Sequence, residues 1–296
     1  LAADFCGLAC SASGAKDSFI LPIIWAIYSS FFRQVTEGGG AYGGGELVNK
    51  FVGFQNFQYA ITSGNFWSGV GRVLLYTLIQ VPIMIIAALA LAIVIDSFVV
   101  KHVTGFRLGY FLPYAIPGVV ASIIWVYLYN GQISPIVKGL AAIGVNVDFF
   151  NKNIVLGSMA NITTWTFTGY NMLIFLAAIK NIPVSYHEAA IVDGAGPVRR
   201  FFSITLPMLT PILFFNLINQ VIGAFQAFNS SYLITQGKPL NTTLYYGVHL
   251  YNKAFNHYEM GYGCAMAWFM LLVIAFFTAL IFRSSSAWVY YESEGK

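Results

Sequence analysis

Long uncharged apolar runs constrain this chain more than any other feature. Val73 to Ile95, Leu108 to Tyr129, Ile154 to Ile179, Met208 to Thr235 and Gly261 to Phe282 contain no Asp, Glu, Lys or Arg. Each meets the roughly 20 apolar residues that a helix needs to cross a bilayer. Inside hydrocarbon every backbone polar group must be satisfied within the segment, so such runs are read as helices. Composition agrees: 58% of residues are hydrophobic and 9% charged, against about 25% charged in soluble domains. Phe19 to Phe32 is a shorter apolar stretch behind the costly Lys16-Asp17 pair, and a first span is expected at about 15–33. The expectation is an all-α polytopic membrane protein of about six transmembrane helices.

The most distinctive interruption is Tyr186 to Pro211, YHEAAIVDGAGPVRRFFSITLPMLTP. Pro183 stops the preceding helix. Val184 to Asp193 are mostly good helix formers, and Gly194 is placed to end that helix in a left-handed conformation. Pro197 suits the first turn of a second short helix. On it Val198, Phe201, Phe202 and Thr205 make one apolar stripe. Glu188 lies early, where the helix dipole favours a carboxylate. Ala189 and Ala190 leave a thin flank that another protein can approach closely.

Glu188-Ala189-Ala190, Gly194, Ile204, Leu206 and Pro207 keep the spacing EAA-x3-G-x9-I-x-L-P. This resembles the cytoplasmic loop of the membrane subunits of bacterial ATP-binding-cassette importers. Further matches favour the sugar-type subunits. They include Phe225-Gln226-Ala227-Phe228-Asn229 with Tyr232, Leu233, Thr235, Gly237 and Pro239, and the short signature Phe51 to Phe57. Trp165, Gly169, Met172, Leu176-Ala177-Ala178 and Ile182-Pro183 also fit, as do Arg107, Leu112-Pro113 and Trp125. Lys238 stands where a glycine is often found. The resemblance runs from about Phe51 to Phe282 and fails at the extreme N-terminus.

The resemblance implies a bacterial inner-membrane permease subunit working by alternating access. Residues 1–50 would hold the first span and a Gly-rich extracellular loop, GGGAYGGGE (Gly38 to Glu46), and residues 51–296 a core of about five spans. Glu188, Ala189, Ala190, Asp193 and Gly194 would form a coupling helix docked on an ATPase. The implied partners are a second homologous permease, an ATPase homodimer, an extracellular solute-binding protein and membrane lipid, with sugar as substrate. ATP and Mg would sit on the ATPase, with no cofactor on this chain. Orientation rests on the resemblance, since Lys and Arg divide almost evenly between the two sides.

A path through a membrane needs polar groups without bare charge. On the expected span Met208 to Thr235, Asn216, Asn219, Gln220, Gly223, Gln226 and Ser230 fall within an arc of about 120° at 100° per residue. Amides facing lipid are unsatisfied, so this arc faces protein or a wet cavity. Amides and hydroxyls suit sugar hydroxyls, and aromatics such as Phe225, Phe228 and Tyr232 suit sugar rings. The competing reading is interhelical polar glue. Asn229 extends the same stretch. In Ile154 to Ile179, Thr164, Thr168 and Asn171 share one face and Thr163, Thr166 and Tyr170 another; either face could line the path. Trp125 and Tyr129 are further candidates, with interfacial anchoring as the commoner role.

Other chemistry finds little support. No Gly-x4-Gly-Lys-Ser/Thr loop occurs, so nucleotide phosphates would not be cradled that way. His102, His187, His249 and His257 lack metal spacing, and no nucleophile triad or paired carboxylate is readable. Cys6, Cys10 and Cys264 make no disulfide framework, and Leu8-Ala9-Cys10 lacks the stretch expected before a lipoprotein cleavage box. Scattered basic residues give no nucleic-acid footprint. The alternatives are an ATP-independent secondary transporter, which the charge-free spans disfavour, and a permease for glycerol-phosphate or another polyol.

Overall fold

The structure, a computed structural model, describes residues 14–37, 46–96 and 102–290. Cys6, Cys10, Lys101 and the glycine tract 38–45 lie outside the described residues. Two compact units divide the chain: Leu1–Val70 with Tyr246–Ile274, and Gly71–Tyr245 with Ala275–Lys296.

The first unit opens with helix α1, Gly14–Ser30, whose apolar part Ile20–Ser30 is shorter than a full span. Strands β1, Phe32–Glu37, and β2, Glu46–Phe51, follow as an antiparallel pair with Phe32 opposite Phe51. This hairpin departs from the expected all-helical chain. It forms where β-branched and aromatic residues flank a glycine-rich connection. The Asn56 amide donates to the carbonyls of Ser30 (2.8 Å) and Phe32 (2.9 Å), fixing the corner between helix and strand. Helix α2, Gln55–Thr62, then carries Phe57 against Phe269, and Phe66 packs on Phe269 and Tyr246.

Helix α3, Gly64–Asp96, starts well before the apolar run at Val73. The expected span Leu108 to Tyr129 is instead two helices, α4 Val103–Ala115 and α5 Gly118–Tyr129, bent by 99°. Pro117 removes a backbone donor and forces Ile116 into an extended conformation, ψ 127, which a helix cannot continue through. Helix α6, Pro135–Ala142, begins at Ser134, whose hydroxyl accepts from the amides of Ile136 and Val137. Helix α7, Val155–Lys180, matches the expected span closely. Helix α8, Val184–Val192, is the predicted first helix of the loop.

The predicted second short helix is not separate. Pro197–Phe225 is one helix, α9, with a π-helical turn at Phe201–Thr205. Pro207 lies inside it. It ends at Phe225 rather than Thr235. There the Ala227 amide turns back to Ala224 (3.1 Å) and the chain leaves the helix. A π-helical turn follows at Ser231–Thr235. It is fastened to the next loop by the Ser231 hydroxyl on the Thr243 carbonyl and by Thr235 and Thr243 hydroxyls 2.6 Å apart. Helix α10, Tyr246–Tyr251, and helix α11, Met260–Trp288, complete the chain.

In the second unit α3, α7 and α9 share a core of Ala88, Ala92, Ile95, Met172, Phe175 and Leu176, with Ile212 and Leu213 against it. Helix α4 lies so close to α7 that a Cβ at Gly169 would overlap the Tyr110 carbonyl. Close packing through a small residue is the usual means of joining helices in lipid. Tyr114 then stacks on Tyr170, ring centroids 4.6 Å apart.

Candidate translocation site and coupling loop

Where α9 stops, its last turn and the irregular residues after it face a cavity of about 360 Å³. Gly223, Gln226, Ala227, Phe228, Asn229 and Ser230 form one wall. Thr163, Thr166 and Phe167 of α7 line another, with Tyr76 of α3, Tyr114 of α4, and Gly118 and Ser122 of α5. Among the described residues no Asp, Glu, His, Lys or Arg lines this cavity. Its polar groups are hydroxyls and amides, able both to donate and accept. Irregular backbone within membrane depth is tolerated where it borders such a cavity.

The polar arc therefore divides. Gly223, Gln226, Asn229 and Ser230 reach the cavity, but only Gly223 does so from α9; Gln226 lies in the break and Asn229 and Ser230 in the helical turn after it. Gln220 instead donates to the Asn171 side chain at 3.2 Å. Asn171, fully buried at 0% exposure, donates to the Phe167 carbonyl (2.8 Å) and lies 3.1 Å from the Met84 sulfur. Asn216 is buried and its Nδ2 has no partner among the described residues. Asn219 is exposed and donates back to its own helix at Phe215. A single 120° arc requires one helix continuing to Thr235, and α9 ends at Phe225.

The two faces of α7 are also resolved. Thr163 and Thr166 line the 360 Å³ cavity, and Tyr170 of the same face meets its lining residue Tyr114. Thr164 and Thr168 line a larger cavity of about 650 Å³ with Phe106, Tyr110 and Trp165. The larger space takes Thr164 and Thr168 from the predicted candidates but none of those between Asn216 and Ser230, so size and chemistry point to different cavities. The smaller one has the polar lining and is the stronger candidate path. Trp125 and Tyr129 line neither. Tyr129 instead donates to the Ser158 carbonyl and accepts from Asn161.

Sequence reasoning missed Tyr76, Tyr114 and Ser122. Tyr76 donates to Thr163 at 2.7 Å and packs on Tyr245. Burial, and then the neighbouring Tyr76, raises the Tyr245 phenol well above its ordinary range. A spacing argument within one helix does not bring α3 and α4 to α7. The only available signal was the Pro113 and Pro117 pair, which marks a break where side chains can converge.

The coupling loop has the predicted local geometry at its turn. Gly194 takes φ +75. Its amide bonds the Ile191 carbonyl (3.0 Å), and the Ala195 amide bonds Ala190 (2.9 Å). These two bonds form a Schellman ending with glycine in the left-handed position. Glu188, Ala189 and Asp193 are exposed and Ala190 half-buried. Half of the apolar stripe beyond it is open: Val198 is 70% and Phe202 61% exposed, while Phe201 is half-buried and Thr205 buried.

Residues 57–289 match the family described as the binding-protein-dependent transport system inner membrane component. The chain belongs to this family. It is the membrane-spanning permease subunit of an ABC importer, a multi-pass inner-membrane protein and a transport component rather than an enzyme. A Bacillus subtilis protein, the probable ABC transporter permease YesP, is 40% identical over 83% of this chain and 81% of its own length. The sulfoquinovosyl glycerol permease SmoG of Agrobacterium fabrum is 30% identical, covering 89% and 84%. The arabinooligosaccharide permease AraP of Bacillus subtilis is 32% identical, covering 86% and 80%. A crystal structure of a bacterial ABC transporter that imports the acidic polysaccharide alginate shares the permease fold. It superposes with a TM-score of 0.74 at 20% identity, covering 80% of this chain and 84% of that one. Membership in a binding-protein-dependent system implies a solute-binding protein and an ATPase as partners of this permease.

Proposed function

We propose that the permease carries a glycan or a closely related polyol through the cavity at the end of α9, by alternating access. The observation that carries this reading is the wall Gly223–Ser230, where helix breaks at Gln226–Phe228 and amides, a hydroxyl and an aromatic ring line the cavity with no Asp, Glu, Lys or Arg among the described lining residues. Amides and hydroxyls match sugar hydroxyls, while Tyr114, Phe167 and Phe228 offer faces for the apolar side of a ring. Relatives named for arabinooligosaccharides, lactose and sulfoquinovosyl glycerol support a glycan substrate. Relatives named for sn-glycerol-3-phosphate keep a polyol phosphate as the second reading.

The working assembly in this reading pairs the chain with a second homologous permease and two copies of an ATPase subunit, which bind ATP and Mg. The binding protein delivers substrate from outside, and lipid covers the remaining apolar surface. Glu188, Ala189, Ala190, Asp193 and Gly194 sit in the ATPase groove. Closure of the ATPase pair moves α8, and α9, which follows directly from the loop, carries that motion to the cavity wall.

Reconstitution of the full complex in proteoliposomes tests both halves. Glycan uptake should require internal ATP, and Gly194→Val should hydrolyse ATP without matching uptake. A β-branched residue at φ +75 is strained by about 1–2 kcal/mol, enough to redirect the loop without unfolding the chain. Uptake that persists without ATP, or that stays coupled in Gly194→Val, would overturn the reading. Uptake of glycerol phosphate in place of every glycan tried would select the second one.

A further inference from the structure

On the α7 wall of the 360 Å³ cavity, one threonine departs from the pattern of its neighbours. In a helix interior a threonine hydroxyl commonly donates to the carbonyl one turn back. Thr164 donates in this way to Ala160 (2.8 Å), Thr166 to Ile162 (3.0 Å) and Thr168 to Thr164. Thr163 makes no such bond to Met159 among the described residues; its hydroxyl accepts instead from Tyr76 of α3, at 2.7 Å. Tyr76 is fully buried, and its ring is packed on Tyr245 with centroids 5.0 Å apart. A buried phenol must place its proton on an acceptor, and Thr163 is the one it reaches. The Thr163 proton is then left for the cavity, which the half-buried Thr163 lines.

Thr166 lines the same cavity about one turn further on. Its proton is committed to Ile162, so it presents lone pairs. Residues three apart on a helix have Cβ atoms about 5–6 Å apart. A donor and an acceptor thus stand side by side on one wall. We propose that Tyr76 is a positioning residue for transport: it holds Thr163 as a donor to substrate beside Thr166 as an acceptor, and the pair selects neighbouring uncharged hydroxyls of a glycan. Each sugar hydroxyl both donates and accepts, so two adjacent ones satisfy both threonines. An ionised phosphate only accepts; it answers Thr163 but sets its charge against the lone pairs of Thr166. This role rests on the cavity reading above and narrows it toward the glycan over the polyol phosphate. Without the Tyr76 hydroxyl, Thr163 is free to turn its proton to Met159, as the other threonines turn theirs, and the donor is lost.

The complete complex in proteoliposomes, with ATP inside and its binding protein outside, provides the test. Uptake is measured for a panel of neutral oligosaccharides, and then for the monodeoxy analogues of the best of them. Tyr76→Phe should lower kcat/KM for the parent sugar about five- to tenfold, the worth of one hydrogen bond. For the analogue lacking the hydroxyl that Thr163 meets, the same change should cost less than about twofold, since that bond is already gone. Thr163→Val should show the same dependence on the analogue, and Thr163→Ser, which keeps the hydroxyl, should recover most of the loss. The double variant Tyr76→Phe with Thr163→Val should transport no worse than Thr163→Val alone, because Tyr76 acts through Thr163. A Tyr76→Phe loss equal for every analogue would make the bond structural glue between α3 and α7 and overturn the proposal. So would Tyr76→Phe uptake within about twofold of the original, or losses that add in the double variant. If Tyr76→Phe does not assemble, Thr163→Val carries the analogue test, and an equal loss for every analogue there is as decisive against the proposal. An unmodified complex that imports none of the panel would instead defeat the glycan reading on which this role rests.

Discussion

Two neighbouring sets of polar side chains, alike in sequence, do opposite things in the fold. Gln220, half-buried, joins α9 to α7 by a direct hydrogen bond to the fully buried Asn171. Gln226, Asn229 and Ser230, less than three turns further along, border open space. Two helical glycines show the same contrast. Gly169 is pressed against the Tyr110 backbone, while a Cβ at Gly223 would meet nothing within 4 Å. The difference is the end of α9. Where the helix continues, the Gln220 amide finds a neighbouring helix and acts as glue. Where it stops, the same residue types turn toward a cavity. Polar residues in a span thus identify a place where water or substrate is possible, and the backbone decides which places are used.

The comparison predicts a graded series. Gly169→Ala should have the largest effect on stability, since backbone rather than a flexible side chain blocks the new methyl group. A loss at the upper end of about 1–3 kcal/mol is expected, read as earlier loss of monodisperse complex on heating. Asn171→Leu should cost about 1–2 kcal/mol by leaving the Gln220 amide without its acceptor. Leu at both 171 and 220 should cost less than the sum of the two single changes, because neither amide is then stranded. Strict additivity would show that the bond couples nothing.

Much of the architecture was legible in the sequence because each apolar run states its own requirement. Ile154 to Ile179 needed only length and lack of charge, and α7 follows it within a residue at each end. Gly194 was legible because a left-handed helix ending has a strong residue preference, and its φ is +75. The misses share a cause. The apolar stretch Leu108 to Tyr129 does not reveal a 99° bend, although Pro117 supplies its cause. Met208 to Thr235 remains apolar past the point where α9 ends, because hydropathy registers burial in lipid and not backbone form. The hairpin Phe32–Glu37 and Glu46–Phe51 was hidden by its glycine connection, which reads as flexible loop. Tyr76 and Tyr114 reach the cavity from α3 and α4 by tertiary packing, which periodicity along one helix does not encode.

The smallest stability effects should come from the open side, and they are the most discriminating. Gln226→Leu should leave assembly within about 0.5 kcal/mol of the original, the range of substitutions away from packed features. Its KM for uptake should rise about five- to tenfold, the worth of one hydrogen bond to substrate. Gly223→Ala adds the same methyl group as Gly169→Ala, but into space. Helix propensity favours alanine by up to about 1 kcal/mol, so the complex should melt no earlier and its KM should move less than in Gln226→Leu. Two glycines would then give opposite signs for one chemical change. If Gly223→Ala or Gln226→Leu destabilises the complex as much as Asn171→Leu does, the cavity wall is another packed seam, and the path lies elsewhere, with the 650 Å³ cavity beside Trp165 next in line.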